Sequence, residues 1–215
     1  MCRTILYNMV VLFVILLNSY VTRASDPDPV QDFCIANTES ASHAKQCKNS
    51  SLVTVEDFVY AGIKVPGKFG PTGLSGVSVN SNVFPGLNTL GMSLVRADFE
   101  VGGVNVPHFH PRATEIAFVL EGTIYSGFVD TNNKVFAKVI EKGEVMVFPR
   151  GLVHFQMNVG DTPATILGSF DSQNPGSQRI PAAIFGSGIK EKLLEKAFGM
   201  SSKEISKLKK KLGPH

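Results

Sequence analysis

A chain of 215 residues with 43% hydrophobic and 18% charged side chains can enclose one domain with a substantial core. It carries 21 lysines and arginines against 18 acidic residues, and loss of Arg3 and Arg23 with an exported leader would leave 19 against 18. That near balance excludes nucleic acid as the main partner.

The first segment reads as a secretory signal peptide over residues 1–24. Arg3 precedes an apolar run from Met9 to Leu17, and Thr22-Arg23-Ala24 ends in small residues at the −3 and −1 positions, so cleavage is expected after Ala24. A membrane anchor is the weaker reading, because the run falls short of the roughly 20 apolar residues that span a bilayer. No later segment is long and apolar enough to do so, and no membrane association is expected. The mature chain, 25–215, is expected to form a single domain, with a β-rich core over about 60–175 and helices over about 178–212.

Cys2 leaves with the leader, so Cys34 and Cys47 remain as an even count in an exported chain. A disulfide between them is expected in an oxidising compartment. Closing that short loop contributes about 3 kcal/mol by the chain-entropy estimate. Asn49-Ser50-Ser51 follows at once and is an N-glycosylation sequon. Residues 25–55 are otherwise polar and irregular, and 60–90, rich in Gly, Pro, Ser and Asn, read as loops with short strands.

From Leu90 the texture changes. Met92, Leu94, Ala97, Phe99 and Val101 are interleaved with polar residues as in a strand. Further strands are expected over Glu115–Leu120, Thr123–Val129, Val135–Ile140, Glu144–Phe148 and Thr165–Phe170. Glu121-Gly122, Asp130-Thr131-Asn132-Asn133 and Lys142-Gly143 separate them as turns. Short strands at roughly 8–12-residue spacing indicate an all-β sandwich or barrel. Ile189, Leu193, Leu194 and Ala197 then follow helical spacing, as do Ile205, Leu208 and Leu212 after Gly199. Ser201-Ser202-Lys203-Glu204 fits a capping box opening the last helix. The basic run Lys207–Lys211 reads as that helix's solvated face. The apolar stripe must be buried against the chain's own barrel or a neighbouring subunit.

Within the β-region one constellation carries chemistry. His108 and His110 lie two residues apart, so on a strand they share a face. Glu115, five residues beyond His110, would face away on an unbroken strand, but Pro111 makes a bend there and lets the carboxylate turn back. His154 follows the turn-prone Pro149-Arg150-Gly151, and strand pairing would bring it opposite the first pair. Three imidazoles and a carboxylate make a nitrogen/oxygen site suited to Mn, Fe, Zn, Cu or Ni, with coordination positions left for water, dioxygen or a substrate oxygen. The alternative is four ordinary cleft residues.

Two motifs carry a family resemblance. Gly102-x5-His108-x-His110-x4-Glu115-x6-Gly122 resembles the first cupin motif, and Gly143-x5-Pro149-x-Gly151-x2-His154-x3-Asn158 the second. Pro-His-Phe-His-Pro-Arg-Ala-Thr-Glu from Pro107, Gly-Leu-Asn-Thr-Leu-Gly from Gly86 and the early cysteine pair resemble the plant germins and germin-like proteins. The resemblance implies a cupin jelly-roll β-barrel with a C-terminal α-helical extension. It implies manganese held by His108, His110, Glu115 and His154, a hexamer built as a trimer of dimers, and a place in the cell wall or apoplast.

It also implies a choice of activities: oxalate oxidase, superoxide dismutase, nucleotide pyrophosphatase, or no turnover at all with the metal structural in a wall or binding protein. Of two asparagines that hold oxalate in oxalate-oxidising germins, one is kept here as Asn105 and the other is Val95. Valine cannot donate a hydrogen bond, and a site that lacks one polar contact to a charged substrate binds it poorly. Superoxide dismutation, which needs little pocket chemistry, is therefore the leading expectation. No Gly-rich phosphate loop supports the pyrophosphatase.

Overall fold

The structure, a computed structural model, describes residues 31–38 and 45–213. The leader expected over 1–24 lies outside them. Alternating inward and outward residues build two five-stranded antiparallel sheets. One has the order β1 (Leu74–Val79), β2 (Ser93–Phe99), β9 (Ala164–Phe170), β4 (Glu115–Glu121), β7 (Val145–Phe148). The other has the order β10 (Gln178–Arg179), β3 (Val104–Phe109), β8 (His154–Asn158), β5 (Thr123–Val129), β6 (Val135–Glu141). From β2 to β5, and again from β6 to β10, each successive strand changes sheet. This is the wrapping of a jelly roll, and the expected all-β cupin barrel is what forms.

The core lies between the sheets and contains Leu74, Ala97, Phe99, Ala117, Val119, Ile124, Ile140, Phe148, Ala164 and Ile166. Each large side chain buried there contributes about 1.5–3 kcal/mol of hydrophobic stabilisation. In β4 the inward residues are Glu115, Ala117 and Val119, while Ile116, Phe118 and Leu120 face outward and remain exposed. Their outward neighbours on β7, Val145 and Val147, pair with Phe118 and Ile116 in register and are exposed as well. The near-continuous apolar run of β4 thus serves two faces.

Turn chemistry sets the strand ends. Gly122 takes φ 85°, and a Cβ there would come within 2.4 Å of the Ala164 Cβ, so only glycine fits. Between β5 and β6, Asp130 Oδ1 accepts from Asn132 N and Lys134 N at 2.8 and 2.9 Å, and Asn133 adopts φ 62°. The second strand is shorter than Met92–Val101, because a turn closed by Gly103 N to Glu100 O at 2.8 Å ends it and leaves Val101 exposed.

Cys34 and Cys47 form the expected disulfide. The disulfide-linked segment docks on the turn at Pro85–Leu87 through Ala36 N to Pro85 O, 3.1 Å, and Asn88 Nδ2 to Cys34 O, 3.0 Å. Three helices close the chain: α1 (Ile180–Phe185), α2 (Glu191–Phe198) and α3 (Ser202–Leu212). The Ser201–Glu204 capping box is present, and Gly199 ends α2 in the left-handed region. Leu194 and Ile205 are buried while Leu193 is exposed, and Ile189 precedes α2. The short α1 has no apolar period long enough to announce it from sequence.

Candidate metal centre

β3 and β8 are paired so that His108 stands directly opposite His154. His110 lies just past the end of β3, two residues on and on the same face. Glu115 opens β4 in the facing sheet, after Pro111 and Arg112 turn the chain across the end of the barrel. The four ligand atoms lie within 4.8 Å of one another, and all four residues are buried. Ligands about 2.1 Å from a shared ion are roughly 3 to 4.2 Å apart, so a small inward movement closes this set on one cation.

The backbone fixes which nitrogen each imidazole presents. His108 Nδ1 meets Val106 O at 2.9 Å, His154 Nδ1 meets Leu152 O at 2.9 Å, and His110 Nδ1 meets Gly176 O. A carbonyl only accepts, so each Nδ1 carries the proton and each Nε2 turns its lone pair inward. Glu115 Oε2 lies 3.2 Å from both His110 Nε2 and His154 Nε2. Those contacts attract only with a proton or a cation between the atoms. Cys34 and Cys47, the cysteines among the described residues, are tied up in the disulfide, so the donors are imidazole and carboxylate, which suit a divalent first-row metal.

The profile of the Cupin family matches residues 61–206. Germin-like protein subfamily 3 member 2 of Arabidopsis thaliana is 56% identical over 97% of this chain and 95% of its own length. Germin-like protein 2-4 of Oryza sativa subsp. japonica is 52% identical over 96% and 93%. Solved structures of oxalate oxidase, one in complex with glycolate, overlay with TM-score 0.84 at 39% identity, covering 87% of this chain and 98% of theirs. The chain belongs to the germin-like family of cupins.

In this germin-like chain the electrostatics follow from burial. Removal from water, aided by the neighbouring His154 and His110, pushes the His108 imidazole down to about 3 against a weaker opposing pull from its bond to Val106. Burial works to raise the Glu115 carboxyl, but hydrogen bonds and charge from His110 and His154 outweigh it and hold the group at about 2. His108 therefore stays neutral and Glu115 ionised across the physiological range, the forms that bind metal.

A cavity of about 330 Å³ opens in front of His108, His110 and Glu115, lined also by Val95, Asn105 and Gln156. Asn105 reaches it through a bulge in β3. Asn105 pairs with Gln156 and His108 with His154, so β3 spends one residue more than β8 between those pairs. The extra residue puts Asn105 on the His108 face, where its Nδ2 donates to Gln156 Oε1 at 2.8 Å and lies 3.5 Å from His108 Nε2.

Four further residues shape the site and are not among those read from sequence. Phe148 and Phe170, both in register with Glu115, fence the imidazoles against water. Gly168 on β9 makes room for the carboxylate, since a Cβ there would lie 2.6 Å from Glu115 Oε1 and 2.9 Å from Val95 Cγ1. Gln156 holds the Asn105 amide. The signal for Gln156 was its place two residues after His154, which puts it on the same face. Asn49 and the disulfide do not line the cavity. Asn49 is exposed and accepts from Ser51 N at 3.1 Å.

Proposed function

We propose that this chain is a secreted manganese protein that dismutates superoxide in the cell wall or apoplast, with His108, His110, Glu115 and His154 as the ligands. The observation that carries the reading is the convergence of three backbone-oriented Nε2 atoms and one ionised carboxylate beside a small cavity with an apolar wall at Val95. Manganese, when bound, supplies a one-electron couple, and the overall reaction converts two superoxide anions and two protons to dioxygen and hydrogen peroxide. The chain's own residues keep the imidazoles in the ligating tautomer through Val106, Leu152 and Gly176. Phe148 and Phe170 exclude water, and Asn105 offers an amide beside the ligands where an incoming oxygen would be oriented. Manganese itself rests on the family resemblance, since donor chemistry of this kind favours later metals of the series.

The second reading is oxalate oxidation, favoured by the likeness to solved oxalate oxidases. Val95 argues against it, because it lines the cavity alongside Asn105 and gives a dicarboxylate no donor. A structural metal in a non-enzymatic wall or binding protein is the third. Parallel assays on metal-analysed protein separate them. The proposal expects superoxide turnover that chelation removes and little hydrogen peroxide from oxalate; full superoxide turnover in verified metal-free protein sinks it, and robust oxalate oxidation would elevate the second reading.

Export is supported by the Cys34–Cys47 disulfide and by the leader composition. Among the described residues no helix is long and apolar enough to cross a membrane. We take residues 25–215 as the single mature domain and Asn49 as glycosylated, which its exposure permits. A homo-oligomer, hexameric as a trimer of dimers by family resemblance, is supported by the exposed apolar rows of Ile116, Phe118 and Leu120 on β4 and Val145 and Val147 on β7. Light scattering should give a multiple of the chain mass that falls when Ile116 and Val147 are replaced by aspartate.

A further inference from the structure

Apart from the ligands themselves, the cavity in front of the metal centre is lined by one charged side chain, Arg179. It lies on the two-residue strand β10, directly opposite His108 on β3. Opposed residues in an antiparallel pair point to the same side of the sheet, so the guanidinium and the His108 imidazole address the same space. Arg179 is exposed, at the rim rather than in the floor. Among the described residues the ion pairs join other partners, and no carboxylate neutralises it. Several of the other polar groups around the cavity are already committed. Asn174 O and Oδ1 accept from Arg112 Nε and Nη2, Gly176 O accepts from His110, and one of the two amide N–H groups of Asn105 is given to Gln156 Oε1. The far wall combines Leu74, Val95, Ala97 and Ile166 with the uncharged polar side chains of Ser78, Asn80 and Ser93.

A site with one uncommitted cation at its mouth, uncharged walls and metal ligands at its floor is built for a small anion carrying a single charge. We propose that Arg179 is the residue that selects and retains such an anion, a small oxyanion of superoxide or monocarboxylate size, at the entrance to the metal. The proposal rests on the metal-centre reading above and goes further by assigning charge selection to a residue outside the ligand set. A guanidinium offers a planar pair of donors to a two-oxygen anion, which a lysine ammonium matches in charge but not in geometry.

The test uses the full-length, manganese-loaded protein and the probe pair glycolate and glycolamide, alike in size and different in charge. Affinity is followed by titration calorimetry and by the manganese electron paramagnetic resonance line. Arg179→Gln is expected to weaken glycolate about five- to tenfold and Arg179→Glu further. Arg179→Lys should restore most of the loss. Glycolamide binding, manganese content and the unfolding temperature should not change in any of the three variants. Glycolate affinity should also fall with added salt more steeply in the parent than in Arg179→Gln, because the lost term is ionic. Unchanged glycolate affinity in Arg179→Gln, equal losses for glycolate and glycolamide, or no glycolate binding by the parent would each overturn the assignment. Absence of superoxide turnover in the parent would sink the functional reading and leave these binding results standing.

Discussion

The Phe148 ring lies against the His154 imidazole with centroids 4.4 Å apart and planes 12° from parallel. Phe148 is also the register partner of Glu115 across β4 and β7, so one side chain supports two ligands from two sheets. Phe148→Ala removes that support and opens a void in a packed interior. It should cost about 3–5 kcal/mol in denaturant unfolding of the metal-free protein and weaken metal binding in parallel. Phe148→Leu should recover part of the stability and less of the metal affinity, since it fills volume without stacking on the ring.

Gly168 sets the place of the Glu115 carboxylate by having no side chain. Gly168→Ala brings a methyl within 2.6 Å of Glu115 Oε1 and 2.9 Å of Val95 Cγ1, and something must move. The carboxylate is the movable partner, so metal affinity should fall about 10- to 100-fold, the range seen when groups that orient ligands are changed. Adding Val95→Ala relieves the valine contact only, and the double variant should therefore remain a weak metal binder. Competition titration with a chelating dye reads both, and recovery in the double variant would assign the effect to Val95 instead.

Acid should destabilise the metal-free protein in a defined window. The His108 imidazole takes a proton near pH 6.5 when unfolded but only at about 3 when folded. The unfolded chain binds more protons between those values, so stability is full above pH 6.5 and is lost as pH falls toward 3. Glu115, held at about 2 against 4.5, loses its contribution from pH 4.5 downward, in the same direction. The unfolding temperature should decline steadily below pH 6.5, and His108→Gln should flatten the upper part of that decline. A profile flat between pH 7 and 4 would contradict the assignment. In the loaded protein the same protons compete with the metal, which should be released over the acid range.

The parts legible in sequence are those governed by local rules. His108 and His110 share a face because a strand alternates, and the strands around Gly122 and Asp130–Asn133 end where glycine or an Asx turn supplies the unusual backbone. The capping box at Ser201 announced α3. What stayed hidden depends on contacts between distant segments. Asn105 was named through the family resemblance, but alternation alone would turn it away three residues before His108, and only the bulge at β3 brings it round. Pro107 within β3 marks that irregularity but does not say which residue turns. Glu115 was expected to follow a bend, and it does, but in the opposite sheet. Gly168 looks like any strand glycine until β4 is laid beside it, and Arg179 joins the site through a two-residue strand that no periodicity can reveal.

The account stands on four donors from two sheets holding one ion. A crystal structure of the purified secreted protein, with anomalous diffraction collected on both sides of the manganese edge, tests this most directly. The account predicts one anomalous peak per chain, within bonding distance of the Nε2 atoms of His108, His110 and His154 and of the Glu115 carboxylate. An empty centre in protein that nonetheless carries stoichiometric metal, or an ion bound elsewhere with any of the four side chains turned away, would contradict it.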